Sequence, residues 1–320
     1  MTPRTVAELG EEALVAQLRV RFATSDPRVV VGIGDDGAVL ASDSRPLVLV
    51  ADAMVEDVHF RLRHGAARDL GHKALAINAS DLAAMGAVPV ASLLTLSFPG
   101  TLPAAWALDF IDGAAEAARH FGAPIIGGDV TGSRGGVSVS VSMLGHPGGV
   151  RCLLRSGARA GHGIWVTGTL GLSGLGFELL EGRLASGADA AAAVARHQRG
   201  QARLPEGLAL AASPGVGAVM DVSDGLLVDA PRLATASQVT LHIDLERLPI
   251  DPLVRRLAPD HAEPLALAGG EDYELLFTYD GEPPIDAQRI GTVVAGPARV
   301  AWLRDGQPDA PRTRAFAHFD

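Results

Sequence analysis

Met220-Asp221-Val222-Ser223-Asp224-Gly225-Leu226-Leu227 interrupts an apolar run with two carboxylates separated by two residues, then resumes as an amphipathic segment. If residues 216 to 220 form a buried strand, both acids stand at its exit, and Asp224 is placed to N-cap the helix that follows. The same grouping of an acid with small residues beside an apolar run recurs at Gly34-Asp35-Asp36-Gly37, Ala51-Asp52-Ala53, Ser80-Asp81-Leu82, Gly127-Gly128-Asp129 and Gly269-Gly270-Glu271-Asp272. Capping alone does not call for that recurrence. Carboxylates gathered in one place need a compensating cation, because two like charges about 4 Å apart repel by about 4 kcal/mol at an intermediate effective dielectric. Oxygen donors without a Cys or His cluster at metal spacing select a hard ion, Mg²⁺ rather than zinc or iron. Magnesium held by few carboxylates among glycine-rich turns serves to neutralise substrate phosphates, so the chemistry indicated is phosphoryl transfer.

The elements that must carry these residues follow from periodicity. Leu9, Leu14, Val15, Leu18 and Phe22 recur near helical period, predicting a helix over residues 5–22. Strands are expected at 29–33, 46–51, 90–97 and 123–126, with Asp52 and Gly127-Gly128-Asp129 at the exits of the second and fourth. Helices are expected at 69–86 and 103–121. Asn78 and Asp81 lie one turn apart on the first of these and share a face, as a ligand-binding helix edge requires. Val137 to Leu144 alternates Val with Ser, the pattern of a half-exposed strand. Residues 145–163, rich in Gly, Arg and Pro, with Arg151, Arg155 and Arg159, read as a domain junction. Beyond it strands are expected at 164–167, 216–220, 239–243, 273–279, 289–294 and 300–303. Helices are expected at 174–185, 187–199 and 252–257, with another from Asp224 that Pro231 interrupts. The Gly-x-Gly at 32–34 suits close approach to a ligand but is a weak phosphate signal, since no Walker pattern is present. His59, taken alone, reads as structural.

Bulk composition bounds the class. A chain of 320 residues exceeds the usual extent of one core, so two domains are expected, 1–149 and 150–320. A formal charge of −10 argues against nucleic acid. Cys152 is the only cysteine, which rules out an internal disulfide and suits a reducing compartment. Met1 to Leu18 carries three glutamates and no apolar h-region, and no run approaches a membrane span, so a soluble cytoplasmic protein is expected. Among 26 arginines there is one lysine, Lys73, which suggests that a compact, strongly hydrated point charge is wanted there.

Gly-Ile-Gly-Asp-Asp at 32–36, Lys73 through Asn78, Ser80 and Asp81 to Ala87, Gly-Gly-Asp at 127–129, Arg155-Ser-Gly-Ala, Asp-Val-Ser-Asp-Gly-Leu at 221–226 and Gly-Gly-Glu-Asp-Tyr-Glu-Leu at 269–275 together resemble the thiamine-monophosphate kinase family. The match spans nearly the whole chain, in order. The resemblance implies a two-domain α/β (α+β) fold of the aminoimidazole ribonucleotide synthetase-like superfamily, with an N-terminal domain that dimerises through its sheet and a C-terminal α/β domain that completes the active site. It implies Mg²⁺ ligands at Asp36, Asp52, Asp81, Asp129, Asp221 and Asp224, with Asp35 supporting its loop. Gly128, Asp129, Arg155 and Ser223 would meet the nucleotide, and His59, Glu271 and Phe316 the thiamine phosphate. Lys73 and Arg155 would add positive charge, and no residue is expected as an acid or base. ATP as co-substrate, several Mg²⁺ ions, thiamine monophosphate and a homodimer are the implied partners. The chain departs from the family at Ala51, where a threonine is usual, at Ile111, often a tyrosine, and in its Phe316-Ala317-His318-Phe319 tail. The competing readings are another ATP-dependent enzyme of the superfamily and a non-catalytic binder of nucleotide or thiamine phosphate. The selenophosphate synthetase and hydrogenase-maturation relatives would each need a cysteine that is absent here.

Overall fold

The computed structural model describes residues 5–34, 37–185 and 188–313. Asp35, Asp36 and Phe316, three of the expected site residues, lie outside these. The chain folds as two compact units: residues up to Ala79 with Pro89–His146, and Ser80–Val88 with the chain from Pro147 onward.

In the first unit, α1 (Val6–Leu9) and α2 (Glu11–Arg21) replace the single expected helix. The break falls at Gly10, whose φ of +78° no helix accommodates. Next come the antiparallel pair β1 (Val29–Val31) and β2 (Val39–Leu40), β3 (Val48–Val55), α3 (Ala67–Ala84), β4 (Ala87–Pro99), α4 (Ala104–Phe121), β5 (Ile125–Ser133) and β6 (Ser138–Pro147). The larger sheet has the order β3-β6-β4-β5, with β3 antiparallel to β6 and β4 parallel to β5 across the α4 crossover. Helix α4 buries Ala107, Phe110, Ile111, Ala114 and Phe121 at helical spacing and stops at Gly122 in the left-handed conformation. Phe98 of β4 meets Trp106 and Phe110 of α4 edge-on, which fastens that helix to the sheet. Helices α3 and α4 approach backbone to backbone: a Cβ on Gly71 would lie 2.0 Å from the Phe110 carbonyl oxygen, and one on Gly113 1.9 Å from that of Arg68.

Two strands run further than expected, which changes the setting of their acids. β3 stays in register with β6 from Val48↔Gly145 to Val55↔Ser138, so Asp52 sits within a strand rather than after one. Likewise Gly127-Gly128-Asp129 lies inside β5, paired with Leu93, Leu94 and Thr95. Gly128 is needed there because a Cβ would come within 1.8 Å of the Leu94 carbonyl oxygen.

The second unit comprises β7 (Gly163–Val166), α5 (Leu172–Leu180), α6 (Ala191–Arg199), α7 (Leu204–Ala211), β8 (Val216–Asp221), α8 (Leu226–Ser237), β9 (Thr240–Asp244), α9 (Pro252–Leu257), α10 (Ala262–Ala268), β10 (Leu275–Tyr279), β11 (Gln288–Val294), β12 (Arg299–Arg304) and β13 (Gln307–Pro308). Its sheet has the order β13-β12-β9-β11-β7-β10-β8. The β9–β12 pair is parallel, whereas β8, β10, β7, β11 and β9 pair antiparallel in turn. Val166, Met220, Leu226, Leu233, Leu241, Ile243, Leu276 and Ile290 belong to one core cluster. Trp165, Val219, Leu275 and Phe277, the alternate strand positions, join Ala83, Ala84 and Leu210 in a second. Helices α7 and α10 were not expected, and α8 starts at Leu226 and continues through Pro231. The helix survives the proline because Ala230, Leu233 and Ala234 on either side of it are fully buried, and packing outweighs one missing hydrogen bond.

Candidate active site

The Asp221–Gly225 turn is built by its neighbours in the second unit. β8 ends at Asp221, which is buried and accepts a hydrogen bond from the Ser80 hydroxyl at 2.7 Å. This brings the Ser80-Asp81 corner of α3 to the turn. Asp224 does not cap α8, contrary to expectation. Gly225, at φ +92°, is the N-cap without any side-chain cap bond, and Asp224 instead accepts from Arg232 Nη1 at 2.6 Å. Holding the turn is the task of Asp229, a residue not singled out in the sequence. Its Oδ2 accepts the backbone N–H groups of Ser223 at 3.1 Å and Asp224 at 3.0 Å, and its Oδ1 takes Arg232 Nη1 at 2.9 Å. Burial, followed by the charges of Asp221 and Asp224, pushes the Asp229 carboxyl up to about 7.

A second loop locks onto the first. Val222 donates to the Glu274 carbonyl at 2.8 Å, Glu271 to that of Ser223 at 2.7 Å, and Tyr273 to that of Val222 at 2.9 Å. Glu271 and Tyr273 are both left-handed, with φ of +56° and +50°, a conformation that costs non-glycine residues about 1–2 kcal/mol each. Such strain persists only where the surroundings over-determine it, and it clusters at functional sites. Glu271 Oε2 lies 3.0 Å from His197 Nδ1, which is also 3.2 Å from the Ser173 hydroxyl. Asp272 is buried and accepts the N–H groups of Gly171 and Ser173, and desolvation raises its carboxyl to about 7. Glu274, with no exposure, accepts from Thr167, Arg196, Gln201 and twice from Arg203, at 2.6–2.8 Å. Asp221, Ser223, Asp224, Glu271 and the Asp81 corner are thus brought together.

Other expected residues lie in the first unit. Asp52 shares the row of β3 that carries the buried Val48 and Met54, while Asp129 lies opposite Thr95 and is exposed. His59 is half-buried and its Nδ1 accepts the Val55 N–H at 3.1 Å at the exposed end of β3. Lys73 is buried on α3. Asn78 lies one turn before Asp81 on the continuous helix α3. It is fully buried, its Nδ2 donates to the Ala74 carbonyl at 3.0 Å, and its Oδ1 has no protein partner among the described residues. Ile111, where the resemblance suggests contact near ATP, is fully buried in the core. In the second unit, Arg151 donates to the Val216 carbonyl, and the Arg155 carbonyl accepts from Ser237. The carbonyl of Leu154, next to Arg155, accepts the N–H of Val219, two residues before Asp221 on β8, at 2.8 Å.

Among the described residues, no three or more His, Cys, Asp or Glu side chains are gathered closely enough to hold a metal by themselves. The donors present nevertheless suit magnesium, which takes one or two carboxylates and completes its octahedron with water and phosphate oxygens. The mutual repulsion of Asp221, Asp224 and Asp229, only partly offset by Arg232, marks a place where added positive charge is favoured.

Both halves of the chain match known domain families: residues 34–146 the AIR synthase related protein, N-terminal domain, and residues 159–303 the AIR synthase related protein, C-terminal domain. Fold and site together therefore define an AIR synthase related protein. The thiamine-monophosphate kinase of Escherichia coli K12 is 37% identical over 325 residues, covering 97% of this chain and 98% of that protein. This chain belongs to the thiamine-monophosphate kinase family. Among solved structures, the Stenotrophomonas maltophilia thiamine-monophosphate kinase superposes with a TM-score of 0.80 at 36% identity, over 92% of this chain and 96% of that one. AaThiL complexed with AMPPCP and TMP superposes with a TM-score of 0.78 at 31% identity, over the full length of both.

Proposed function

We propose that this chain transfers the γ-phosphoryl group of ATP directly to the phosphate of thiamine monophosphate, giving thiamine diphosphate and ADP. The observation that carries the reading is the Asp221–Asp224 turn, clamped by Ser80, Asp229 and the 269–274 loop, in a chain alignable along its whole length with a relative complexed with AMPPCP and TMP. The acceptor phosphate oxygen is already ionised at neutral pH, so no protein base is required. What the residues must do is hold two anionic phosphates in line and offset their charge. Asp36, Asp52, Asp81, Asp129, Asp221 and Asp224 are the proposed Mg²⁺ ligands. Bound there, the ions neutralise charge on the group being transferred. Ser80 and Asp229 keep the Asp221 and Asp224 ligands oriented. Gly128, Asp129, Arg155 and Ser223 are assigned to the nucleotide, and His59, Glu271 and Phe316 to the thiamine phosphate. Lys73 and Arg155 supply fixed positive charge.

The division into an N-terminal metal, nucleotide and dimerisation domain over 1–149 and a C-terminal domain over 150–320 is part of the same reading, as is a homodimer in the cytoplasm. Leu49, Val55 and Leu93 stand exposed on strands of the first unit's sheet, and this apolar surface supports dimerisation. No helix among the described residues is long and apolar enough to cross a membrane.

Incubation with ATP, Mg²⁺ and thiamine monophosphate, with chromatography of the products, tests the activity. Thiamine diphosphate and ADP should appear in equal amounts. Calorimetric binding of both ligands without turnover would instead make the chain a binding protein.

A further inference from the structure

Asp224 already holds a cation, the guanidinium of Arg232. The guanidinium Nη1 bridges Asp224 Oδ2 and Asp229 Oδ1 at 2.6 and 2.9 Å. The three groups differ in freedom. Asp229 has no exposure, and both its oxygens are engaged, one by two backbone N–H groups and one by Arg232, so it cannot turn outward. Asp224 is confined by its own N–H, which Asp229 accepts. The Arg232 side chain is 44% exposed, on a long stem that extends from α8 eight residues after Asp224. It is the most exposed of the three and has solvent to swing into.

Resting on the reading of Asp224 as a magnesium ligand, we propose that Arg232 is an exchangeable internal counter-ion, paired with Asp224 while no divalent cation is bound and released from it when one binds. In the unloaded state the guanidinium neutralises charge where Asp224 and Asp229 stand side by side. In the loaded state an arginine and a divalent ion on one carboxylate repel each other, and the singly charged, solvent-accessible partner yields. Asp229 keeps its grip on the Ser223 and Asp224 amides throughout, so the turn retains its shape as the cation changes. The released guanidinium presents donors that match phosphate oxygens, which suits a site receiving anionic substrates.

The counter-ion role and a merely structural role predict opposite effects on metal affinity. If Arg232 only braced Asp224, its removal would loosen the ligand and weaken binding. If it competes with the ion, removal strengthens binding. The experiment is a titration of the full-length, nucleotide-free protein with Mn²⁺ alone, followed by the electron paramagnetic resonance signal of the free ion. Wild type, Arg232→Met, Arg232→Lys and Asp224→Asn are compared, with circular dichroism confirming that each is folded. Arg232→Met should bind Mn²⁺ about two- to fivefold tighter than wild type, the range set by losing one partly exposed ion pair. Arg232→Lys should fall between the two, and Asp224→Asn should bind Mn²⁺ more weakly than wild type. Unchanged or weaker binding by Arg232→Met, with wild type still binding the ion, overturns the counter-ion role and leaves the metal reading intact. Absence of Mn²⁺ binding in wild type and Arg232→Met alike overturns both.

Discussion

Replacing Glu274 by Gln should remove about 3–5 kcal/mol from the stability of the second unit. The carboxylate has no exposure and accepts five hydrogen bonds: Oε1 from Arg196, Gln201 and Arg203 Nη2, Oε2 from Thr167 and Arg203 Nε. Glutamine keeps the shape but presents an N–H₂ group where one of those oxygens stood. In the less costly orientation the amide nitrogen takes the Oε2 position. The Thr167 hydroxyl can then rotate, since its oxygen already accepts the Leu275 N–H at 2.8 Å. Arg203 Nε is left facing a donor with only the longer Glu206 pair at 3.2 Å remaining to that guanidinium, and Arg196 loses the carboxylate it is paired with. Breaking a buried pair on one side costs about 3–5 kcal/mol, because the remaining charge is stranded. The assay is urea denaturation of wild type, Glu274→Gln and Arg203→Met, with m-values compared to verify that the same surface unfolds. The backbone tie from Val222 N–H to the Glu274 carbonyl is retained, so the folded variant should keep its Asp221–Asp224 turn. A loss below about 1 kcal/mol at unchanged m would show that the arginines find other partners and would refute the reasoning.

Three further outcomes are expected. Gly128→Ala should cost about 3 kcal/mol or more, read as a lowered melting temperature, because its φ is +148° and the new Cβ would overlap the Leu94 carbonyl oxygen; a melting curve like that of wild type would show that β5 shifts without strain. Asp272 titrates near 7 in the folded chain against 3.8 for an ordinary aspartate, so between these limits the native state holds a proton that the unfolded state has lost. Its contribution therefore falls as pH rises from about 4 to 7, by up to about 1.4 kcal/mol per unit, and the stability difference between wild type and Asp272→Asn should shift in favour of wild type on acidification; parallel curves would contradict this. Asp52→Asn should lower turnover about a hundredfold or more with little change in melting temperature, and unchanged turnover at saturating Mg²⁺ would remove Asp52 from the ligand set.

Much of the architecture can be read from pattern. The Ser/Val alternation of β6 and the buried stripe of α4 ending at Gly122 follow from side-chain period and from the left-handed turn that glycine tolerates. Strand ends are harder: Asp52 and Gly127-Gly128-Asp129 look like exits because acids and glycines punctuate chains, yet pairing with β6 and β4 carries both strands onward. The turn at Asp221 is visible in the sequence, but its mechanics are not. Asp229 is indistinguishable there from a polar position on an amphipathic helix, since its role depends on Gly225 turning the Ser223 and Asp224 amides toward it. Glu274 does leave a signal, as an acid directly before Leu275, Leu276 and Phe277 must be partnered if buried. Its partners Thr167, Arg196 and Arg203 are 71 to 107 residues away, a separation that no local rule spans.

Single-turnover transfer from γ-³²P-labelled ATP, with enzyme and thiamine monophosphate in excess and acid quenching, tests direct phosphoryl transfer most closely. The label should pass from ATP to thiamine diphosphate with no labelled protein at any time, and chelating Mg²⁺ should stop it. Labelled protein that forms before the product, or label released as inorganic phosphate whether or not thiamine monophosphate is present, would contradict it.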